Sequence, residues 1–479
     1  MIYALIAIGA LLALLIAVVI IRALLFKPQR GHASHTEPVS VDAAKAAYSL
    51  SEMIKCKTIS SVDTGAEDEA EFSRFKAKLP ELFPNIFNAC EYTELGTRAI
   101  MIRCKGRSSD APTVLMAHYD VVSADENLWQ RDPFGGEIVD GVLWGRGAID
   151  TKITLNAAMQ ALEMHLINGF VPQNDIYLAF SGEEEICGTG AKMIVDLFEQ
   201  RGITPGLVLD EGGAVVENVF PGVSTPCAVV GIGEKGMLNA EFTFTGNGGH
   251  ASAPKRHTPV GRLSSACVRV ENNPFSLNVP SATRMMFDTL ARHSSFIYRI
   301  IFANLWLFSP VLDVIGKRSG GDLNALTRTT CAFTQMEGSK GMNVIPPKAR
   351  MVANLRIIPG ESCESALEYL RSVVNDADIK VSMIGGMDPS RTSVAEGDGW
   401  ERVKLAIENT FDGVIVSPYL MFACSDSRHW GRISDKVYRF SPVMLTSEER
   451  ATIHGNDERI SVEKIRQSVE FYVRLISSL

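Results

Sequence analysis

Histidine and acidic residues stand at the points where short apolar runs of this chain end. Thr113-Val114-Leu115-Met116-Ala117 leads into His118-Tyr119-Asp120, and Ile176-Tyr177-Leu178-Ala179-Phe180 into Ser181-Gly182-Glu183-Glu184-Glu185. Leu207-Val208-Leu209 leads into Asp210-Glu211-Gly212-Gly213. His118 and Asp120 are two apart in an extended segment and project to the same side, so one can bind a cation while the other orients the ligand. Glu184 and Glu185 are adjacent and point apart; one can ligate a metal while the other faces a substrate as a base. Three successive glutamates after a buried strand repel one another unless a cation is near. Asp150 follows a turn with two glycines, Gly145 and Gly147, and also reads as the N-cap of a helix starting at Thr151. His454 stands just before the last helix. Singly, these features read as capped strand ends, turns and a solvated acidic loop. Together they offer His118, Asp150, Glu185, Asp210 and His454 as ligands and leave Glu184 as the base. Mixed nitrogen and oxygen donors suit Zn²⁺ or a similar divalent ion. Five ligands exceed the needs of one tetrahedral zinc, and a carboxylate-bridged pair of ions, roughly 3.5–4 Å apart, accommodates them.

The elements that must position these groups follow from the same pattern. Short continuous apolar runs bounded by turn residues read as buried strands of a parallel sheet, whose carboxyl ends gather function. Helical stretches at 42–56, 155–166 and 191–199 alternate with these runs up to about residue 230, the signature of an α/β sheet. Beyond Gly233 the texture changes. Glu241–Thr245 and Arg350–Arg356 alternate as half-buried strands do, which predicts a separate α+β domain inserted into the first. The sheet domain resumes near Trp400 and closes with a helix at 461–475. Phe296–Ile315 is apolar but broken by Arg299, Pro310 and Asp313, so it reads as buried helices or a contact surface and not as a membrane span.

The whole chain sets limits on function. Its 479 residues exceed what one core serves, and the net charge of -8 without a basic block argues against nucleic acid as a partner. Nine cysteines, an odd number with no CxxC, read as reduced thiols. Ile2–Ile21 carries no charge and is long enough to span a bilayer, with Arg22, Lys27 and Arg30 following it. A membrane anchor is expected in preference to a cleaved signal peptide, which would need a basic segment before the apolar one. Basic residues after the span place the catalytic part on the cytoplasmic side. Pro28–Ser40, polar with two prolines, reads as a tether.

The motifs AHYDVV, WGRGAIDTK, the Glu pair, LDEGG, GGHASAP, GMNVIP and HGNDERIS occur in one order between residues 42 and 479. In this the chain resembles the dizinc aminoacylase and carboxypeptidase family, closest to the Gly-Xaa carboxypeptidase (carboxypeptidase S) and N-acyl-amino-acid hydrolase branch. The resemblance implies two Zn²⁺ per chain, with Co²⁺ or Mn²⁺ able to replace them, and Asp150 bridging the pair. It implies Glu184 as general base, Asp120 as the orienting aspartate, and His250 as a lid histidine that reaches a partner subunit's site in dimeric relatives. Asn343, Arg356, Asp426 and Arg428 match substrate-side positions. The branch reads Gly-His-Asp-Glu-Glu where this chain has Ser181-Gly182-Glu183-Glu184-Glu185; base and ligand persist and the preceding His does not.

The expected architecture is therefore α/β, a mostly parallel-sheet zinc-peptidase catalytic domain with an inserted α+β lid or dimerisation domain and an N-terminal transmembrane helix. The expected division is an anchor at 1–26, a linker at 27–41, catalytic parts at 42–232 and 389–479, and a lid at 233–388. The expected function is two-metal hydrolysis of the amide bond in short peptides or N-acyl amino acids bearing a free carboxylate. A dedicated N-acyl-amino-acid deacylase and a non-catalytic membrane-tethered binding homologue are the alternatives. A homodimer through the lid, or a monomer whose lid supplies the equivalent groups in cis, is the assembly that the resemblance implies.

Overall fold

A computed structural model describes residues 1–28 and 37–479, so most of the expected tether, residues 29–36, lies outside the described residues. The main sheet runs in the order Glu91–Leu95, Ala99–Cys104, Asn174–Ser181, Ser108–His118, Leu207–Asp210, Val437–Arg439, Cys227–Glu234, Val215–Val216 and Met444–Leu445, with Ile415–Met421 also paired to Cys227–Glu234. The expected mostly parallel sheet is in fact mixed. Asn174–Ser181, Ser108–His118, Leu207–Asp210 and Val437–Arg439 form a parallel centre, while Glu91–Leu95 with Ala99–Cys104, and Ala99–Cys104 with Asn174–Ser181, are antiparallel. Apolar runs report burial on both faces but not strand direction. Direction here follows from connection length: Leu95 pairs with Ala99 across Gly96-Thr97-Arg98, a loop too short for a parallel crossover.

The centre of this sheet sets up the site. Ala117 pairs with Phe180 and His118 with Ser181, so two of the acidic or histidine-bearing turns leave the sheet side by side. Leu115 pairs with Leu209, which brings Asp210 to the same edge. Helix Lys152–Ile167 packs beneath and is buried continuously from Lys152 to Glu163. Helix Val462–Ser477 lies against it and contributes Phe471, Tyr472 and Leu475 to the same core.

Only Lys235 separates main-sheet strand Cys227–Glu234 from Gly236–Thr245, the first strand of a second sheet. That sheet, ordered Thr330–Glu337, Lys348–Ile357, Gly236–Thr245, Ile379–Met387, is antiparallel throughout. Leu238, Ala240, Phe242 and Phe244 alternate into a separate core with helices Pro259–Asn272 and Cys363–Val374. The opposite face carries polar cross-strand pairs, Asn354 to Asn239 at 2.8 Å and Arg350 to Glu241 at 2.6 Å. The chain between these strands does not stay with the second sheet. Helices Ser281–Ala291, Phe296–Phe302, Leu305–Ser319 and Gly321–Thr327 send Met286, Phe287, Leu290, Phe302, Leu312 and Leu326 into the core of the main sheet.

Helix Ile2–Leu25 has a mean hydropathy of 3.2 and is of the kind that serves as a signal sequence or a membrane anchor. Of its residues only Val19 and Ala23 are buried.

Candidate metal centre

Each group of the centre is fixed by backbone before it meets its neighbours. The Tyr119 ring stacks on Phe75 at 4.6 Å between centroids, its hydroxyl donates to the Arg98 carbonyl at 2.7 Å, and its amide donates to the Ser181 carbonyl at 2.8 Å. The His118-Tyr119-Asp120 turn is thereby held against the strand that leads to Glu184. A Cβ on Gly182 would lie 2.6 Å from the Tyr119 ring, which gives this chain's departure from the Gly-His-Asp-Glu-Glu pattern a local reason. Asp120 is fully buried, with its Oδ1 3.5 Å from His118 Nδ1. Its Oδ1 accepts from the Glu184 amide and its Oδ2 from the Glu185 amide, both at 3.1 Å, and Ser60 Oγ donates to Oδ2 at 2.7 Å. Its carbonyl meets His118 Nδ1 at 3.0 Å, which turns Nε2 outward.

Nε2 of His118 stands 3.0 Å from Asp150 Oδ1, and His454 Nε2 stands 3.2 Å from Asp150 Oδ2 and 3.0 Å from Glu185 Oε2. The two oxygens of Asp150 thus face different imidazoles. Helix Lys152–Ile167 takes Thr151 as its N-cap, so the Asp150 side chain does not cap the helix and is available to the histidines. The ligating atoms of His118, Asp150 and Glu185 lie within 4.8 Å of one another. Separations near 3 Å approach the roughly 3.4 Å edge of a tetrahedron with zinc bonds of about 2.1 Å. Asp210 ends the adjacent strand, buried, with Oδ1 accepting from the Glu211 amide and Oδ2 from the Ser427 amide, each at 2.9 Å.

The electrostatics mark this cluster as short of positive charge. Burial, with Asp426, Glu211 and Asp150 close by, pushes the Glu184 carboxyl well above its ordinary range. Glu211 is raised in the same way by burial and by Asp150 and Asp210. Asp426 is pushed up to about 7 by burial and by Asp210, and its buried Oδ2 has no hydrogen-bond partner among the described residues. Burial disfavours a charged His118, but Asp120 and Asp150 overcome it and raise the ring well above its usual value. Asp150 and Glu185 push His454 up to about 10. Glu184, Glu211, Asp426 and both imidazoles are thus shifted toward their protonated forms, in a cluster whose donor set fits a divalent cation.

The other predicted residues divide. Glu183 is held away from the centre, its Oε2 accepting from the Thr189 amide at 3.0 Å. Arg356 reaches Cys424, which lines the cavity at the metal centre, with Nη1 3.9 Å from Sγ. Arg428 is engaged within the protein, Nη1 to Glu234 at 3.4 Å and Nη2 to the Asp388 carbonyl. His250 and Asn343 are exposed side by side, the Ala251 amide donating to the Asn343 carbonyl at 2.9 Å, and neither lines that cavity.

Two residues escaped the reading of the sequence. Glu211 lies on the cavity wall beside Asp150 and was overlooked for its neighbour Asp210. Glu458, in the quoted HGNDERIS motif, is the clamp beneath the centre. Its Oε1 accepts from the amides of Ile149 at 2.7 Å and Asp150 at 3.1 Å, and its Oε2 from the Gly147 amide at 3.1 Å and Arg146 Nη1 at 2.9 Å. Arg146 Nη2 donates to the Gly455 carbonyl at 2.7 Å, tying the loop of His454 to the turn of Asp150. Three residues separate His454 from Glu458, but no local spacing rule announces a carboxylate that serves amides some 300 residues away.

The cavity, of about 440 Å³, has Asp150, Glu184, Glu185, Glu211 and His454 at one end. Val216, Met286, Leu326, Tyr419, Met421 and Phe422 give the wall an apolar part, and Glu217, Asn218, Asp322 and Arg450 also line it.

Residues 114–478 match the sequence model of peptidase family M20/M25/M40. The chain is 34% identical over 437 residues to a probable carboxypeptidase S-like 2 of Dictyostelium discoideum, covering 89% of this chain and 84% of that protein. It is 32% identical over 441 residues to the N-fatty-acyl-amino acid synthase/hydrolase PM20D1 of Homo sapiens, covering 91% and 88%. Among solved structures, the M20 family metallo-carboxypeptidase Sso-CP2 of Sulfolobus solfataricus matches with TM-score 0.64 and 18% identity, over 91% of this chain and 99% of that one. Human carnosine dipeptidase 1 matches with TM-score 0.60 and 15% identity, over 91% and 96%. At these identities the structural likeness is one of fold.

Two outcomes follow for the centre. Glu458→Ala leaves the Arg146 guanidinium buried and unpaired, an expected cost of about 3–5 kcal/mol in chemical denaturation. Glu458→Gln keeps the shape, and its affinity for Zn²⁺ should fall by about 10- to 100-fold, the effect of losing a group that orients ligands; unchanged affinity would remove Glu458 from the account. Separately, imidazoles must be neutral to ligate, so Zn²⁺ uptake by the metal-free chain must expel the proton that holds His454 at a pKa of about 10. Affinity should therefore rise with pH across the neutral range. Calorimetry at pH 7 in buffers of different ionisation enthalpy should read about one proton or more released per chain, and none would mean that the rings are already neutral.

Proposed function

Because the chain belongs to peptidase family M20/M25/M40, as a metallopeptidase or amidohydrolase of carboxypeptidase type, we propose that it hydrolyses N-acyl amino acids, and short peptides with them, at a two-zinc centre. The observation that carries this reading is the cavity, in which Asp150, Glu184, Glu185, Glu211 and His454 share a wall with Val216, Met286, Leu326, Tyr419, Met421 and Phe422. Two relatives named for carboxypeptidase S and for N-fatty-acyl-amino acid hydrolysis fit the same division of the pocket.

His118, Asp150, Glu185, Asp210 and His454 would hold two Zn²⁺, for which Co²⁺ or Mn²⁺ can stand in, with Asp150 between them. Bound there, the ions supply Lewis acidity and lower the pKa of water. Glu184, facing the cavity, takes the proton of the attacking water and returns it to the leaving nitrogen. Asp120 fixes both the His118 ring and the peptide units of Glu184 and Glu185, so base and ligand keep their relation through the reaction. Arg356, beside Cys424, offers a cation to the free carboxylate of the substrate. Asp426 lies close enough to Asp210 to sense its charge and is assigned to the substrate side. Arg428 supports that loop through Glu234.

His250 and Asn343, exposed at the two-stranded ribbon of Gly249–His250 and Val344–Ile345, are assigned to a partner's site in a homodimer, in which a two-fold axis would place them opposite a neighbouring cavity. The division into a catalytic part at 42–232 and 389–479 and a lid at 233–388 belongs to this proposal. So does the N-terminal helix as an uncleaved anchor, with Arg22 and Lys27 on the cytoplasmic side.

Glu184→Gln should lose at least about 10²-fold in kcat while retaining its metal. The substrate class is tested with dipeptides set against N-acyl amino acids of increasing chain length. Burial of each further methylene, worth about 0.8 kcal/mol, should raise kcat/KM by roughly fourfold until the cavity is filled. A profile that falls with acyl length, with dipeptides preferred, would assign the protein to short-peptide hydrolysis instead.

A further inference from the structure

Helices Phe296–Phe302 and Leu305–Ser319 are bent by 102° and carry a dense apolar surface. Ile297 is 71% exposed, Trp306 57%, Val311 50%, Val314 47% and Ile315 46%. The last three sit at i, i+3 and i+4 and form one stripe. The other side of these helices packs on the body, with Phe302 and Leu312 buried in the main core and Phe302 packed on Phe220 and Phe287 at 4.6 and 5.1 Å. An outward face of this size needs an occupant.

The base of the N-terminal helix is seated on the same helix pair. Arg22 donates to the Ala303 carbonyl from Nε at 3.1 Å and Nη2 at 2.9 Å, and Asn304 Nδ2 donates to the Val19 carbonyl at 3.1 Å. The Arg292 guanidinium lies over Phe26 at 4.4 Å. Above this seat, Ile2–Val18 extends roughly 26 Å at about 1.5 Å per residue, close to the thickness of a bilayer's hydrocarbon core of about 30 Å. The level at which that helix would leave the lipid is therefore the level of Ala303 and Asn304. Neither arm of the bent pair can cross by itself, the longer reaching roughly 22 Å on the same rise. Tyr298 and Trp306 are the aromatic types that settle at the boundary between lipid and water, and Arg22, Lys27 and Arg292 at the same level suit phosphate headgroups.

We propose that the exposed face of Phe296–Ser319 lies in the lipid headgroup and acyl boundary, so that the catalytic body rests on the bilayer at a second contact beside its anchor. This inference rests on the anchor reading of the N-terminal helix. The helices of this group also supply Met286 and Leu326 to the catalytic cavity, which couples the bilayer contact to the apolar wall of the site. A second copy of the chain is the rival occupant.

Trp306 is the test residue, being the one exposed tryptophan of five, with the other four buried or half-buried. The full chain, its intact N-terminus checked by mass, is reconstituted into phosphatidylcholine vesicles brominated near the headgroup end of one acyl chain. The brominated lipid should quench about a fifth of the tryptophan emission in the wild type, if the five emit equally, and none of it in Trp306→Phe. Equal quenching in the two proteins overturns the proposal. So does unquenched Trp306 together with a dimeric mass in mild detergent, which assigns the face to a second copy. Fluorescence reads the contact without reference to turnover, so its failure is separate from any failure of the hydrolase reading, and a shortened N-terminus identifies failure of the anchor reading.

Discussion

Asp150, Glu184, Glu185 and Glu211 line one cavity, Asp210 and Asp426 lie close enough to act on them electrostatically, and the positive groups set against them include His118, His454 and, beside Asp210, Arg439. Like charges at such range cannot all remain ionised in a low dielectric, and burial with the neighbouring carboxylates raises Glu184, Glu211 and Asp426, while the carboxylates raise both imidazoles. Divalent cations resolve the same conflict more completely, because they neutralise the ligands and leave Glu184 free to accept a proton. The surrounding structure is organised to keep this crowding from relaxing. Asp120 spends both oxygens on the amides of Glu184 and Glu185, and Glu458 spends both of its own on the turn that presents Asp150. Neither carboxylate is positioned to ligate, yet each determines where the ligands point.

How the fold meets this demand explains its mixed sheet. The parallel centre is needed because it sends the carboxyl ends of Ser108–His118, Asn174–Ser181 and Leu207–Asp210 to one edge. The antiparallel strands outside it complete the sheet by short connections and carry none of the ligands. Gly213 shows how closely the parts are fitted, since a Cβ there would lie 1.9 Å from the Val229 carbonyl oxygen. The apolar part of the cavity wall comes from another source. The helices at 281–327 leave the second sheet's domain in sequence but join the main core in space, and they bring Met286 and Leu326 to the cavity.

Much of this was legible in the chain, for physical reasons that also mark where legibility stops. Buried parallel strands announce themselves as continuous apolar runs, so His118, Glu185 and Asp210 could be placed at strand ends from their flanks alone. The alternation in Gly236–Thr245 and Lys348–Ile357 reported a half-exposed sheet, and the burial pattern follows it. Strand direction was not encoded in those runs. Nor was the role of Glu458, because it acts through backbone amides that any residue types at 147, 149 and 150 would supply. Arg428 looked like a substrate ligand by its motif, but its guanidinium pairs with buried Glu234, a partner distant in sequence that no local pattern indicates.

The central claim is that the surplus of buried carboxylate is a site for two cations shared through Asp150, whose oxygens face different imidazoles at 3.0 and 3.2 Å. Anomalous diffraction at the zinc edge, from crystals of the active and fully loaded protein, tests it most directly. Two peaks per chain on either side of the Asp150 carboxylate, with His118 at one and His454 at the other, are predicted. A single peak at full activity would contradict the two-metal account.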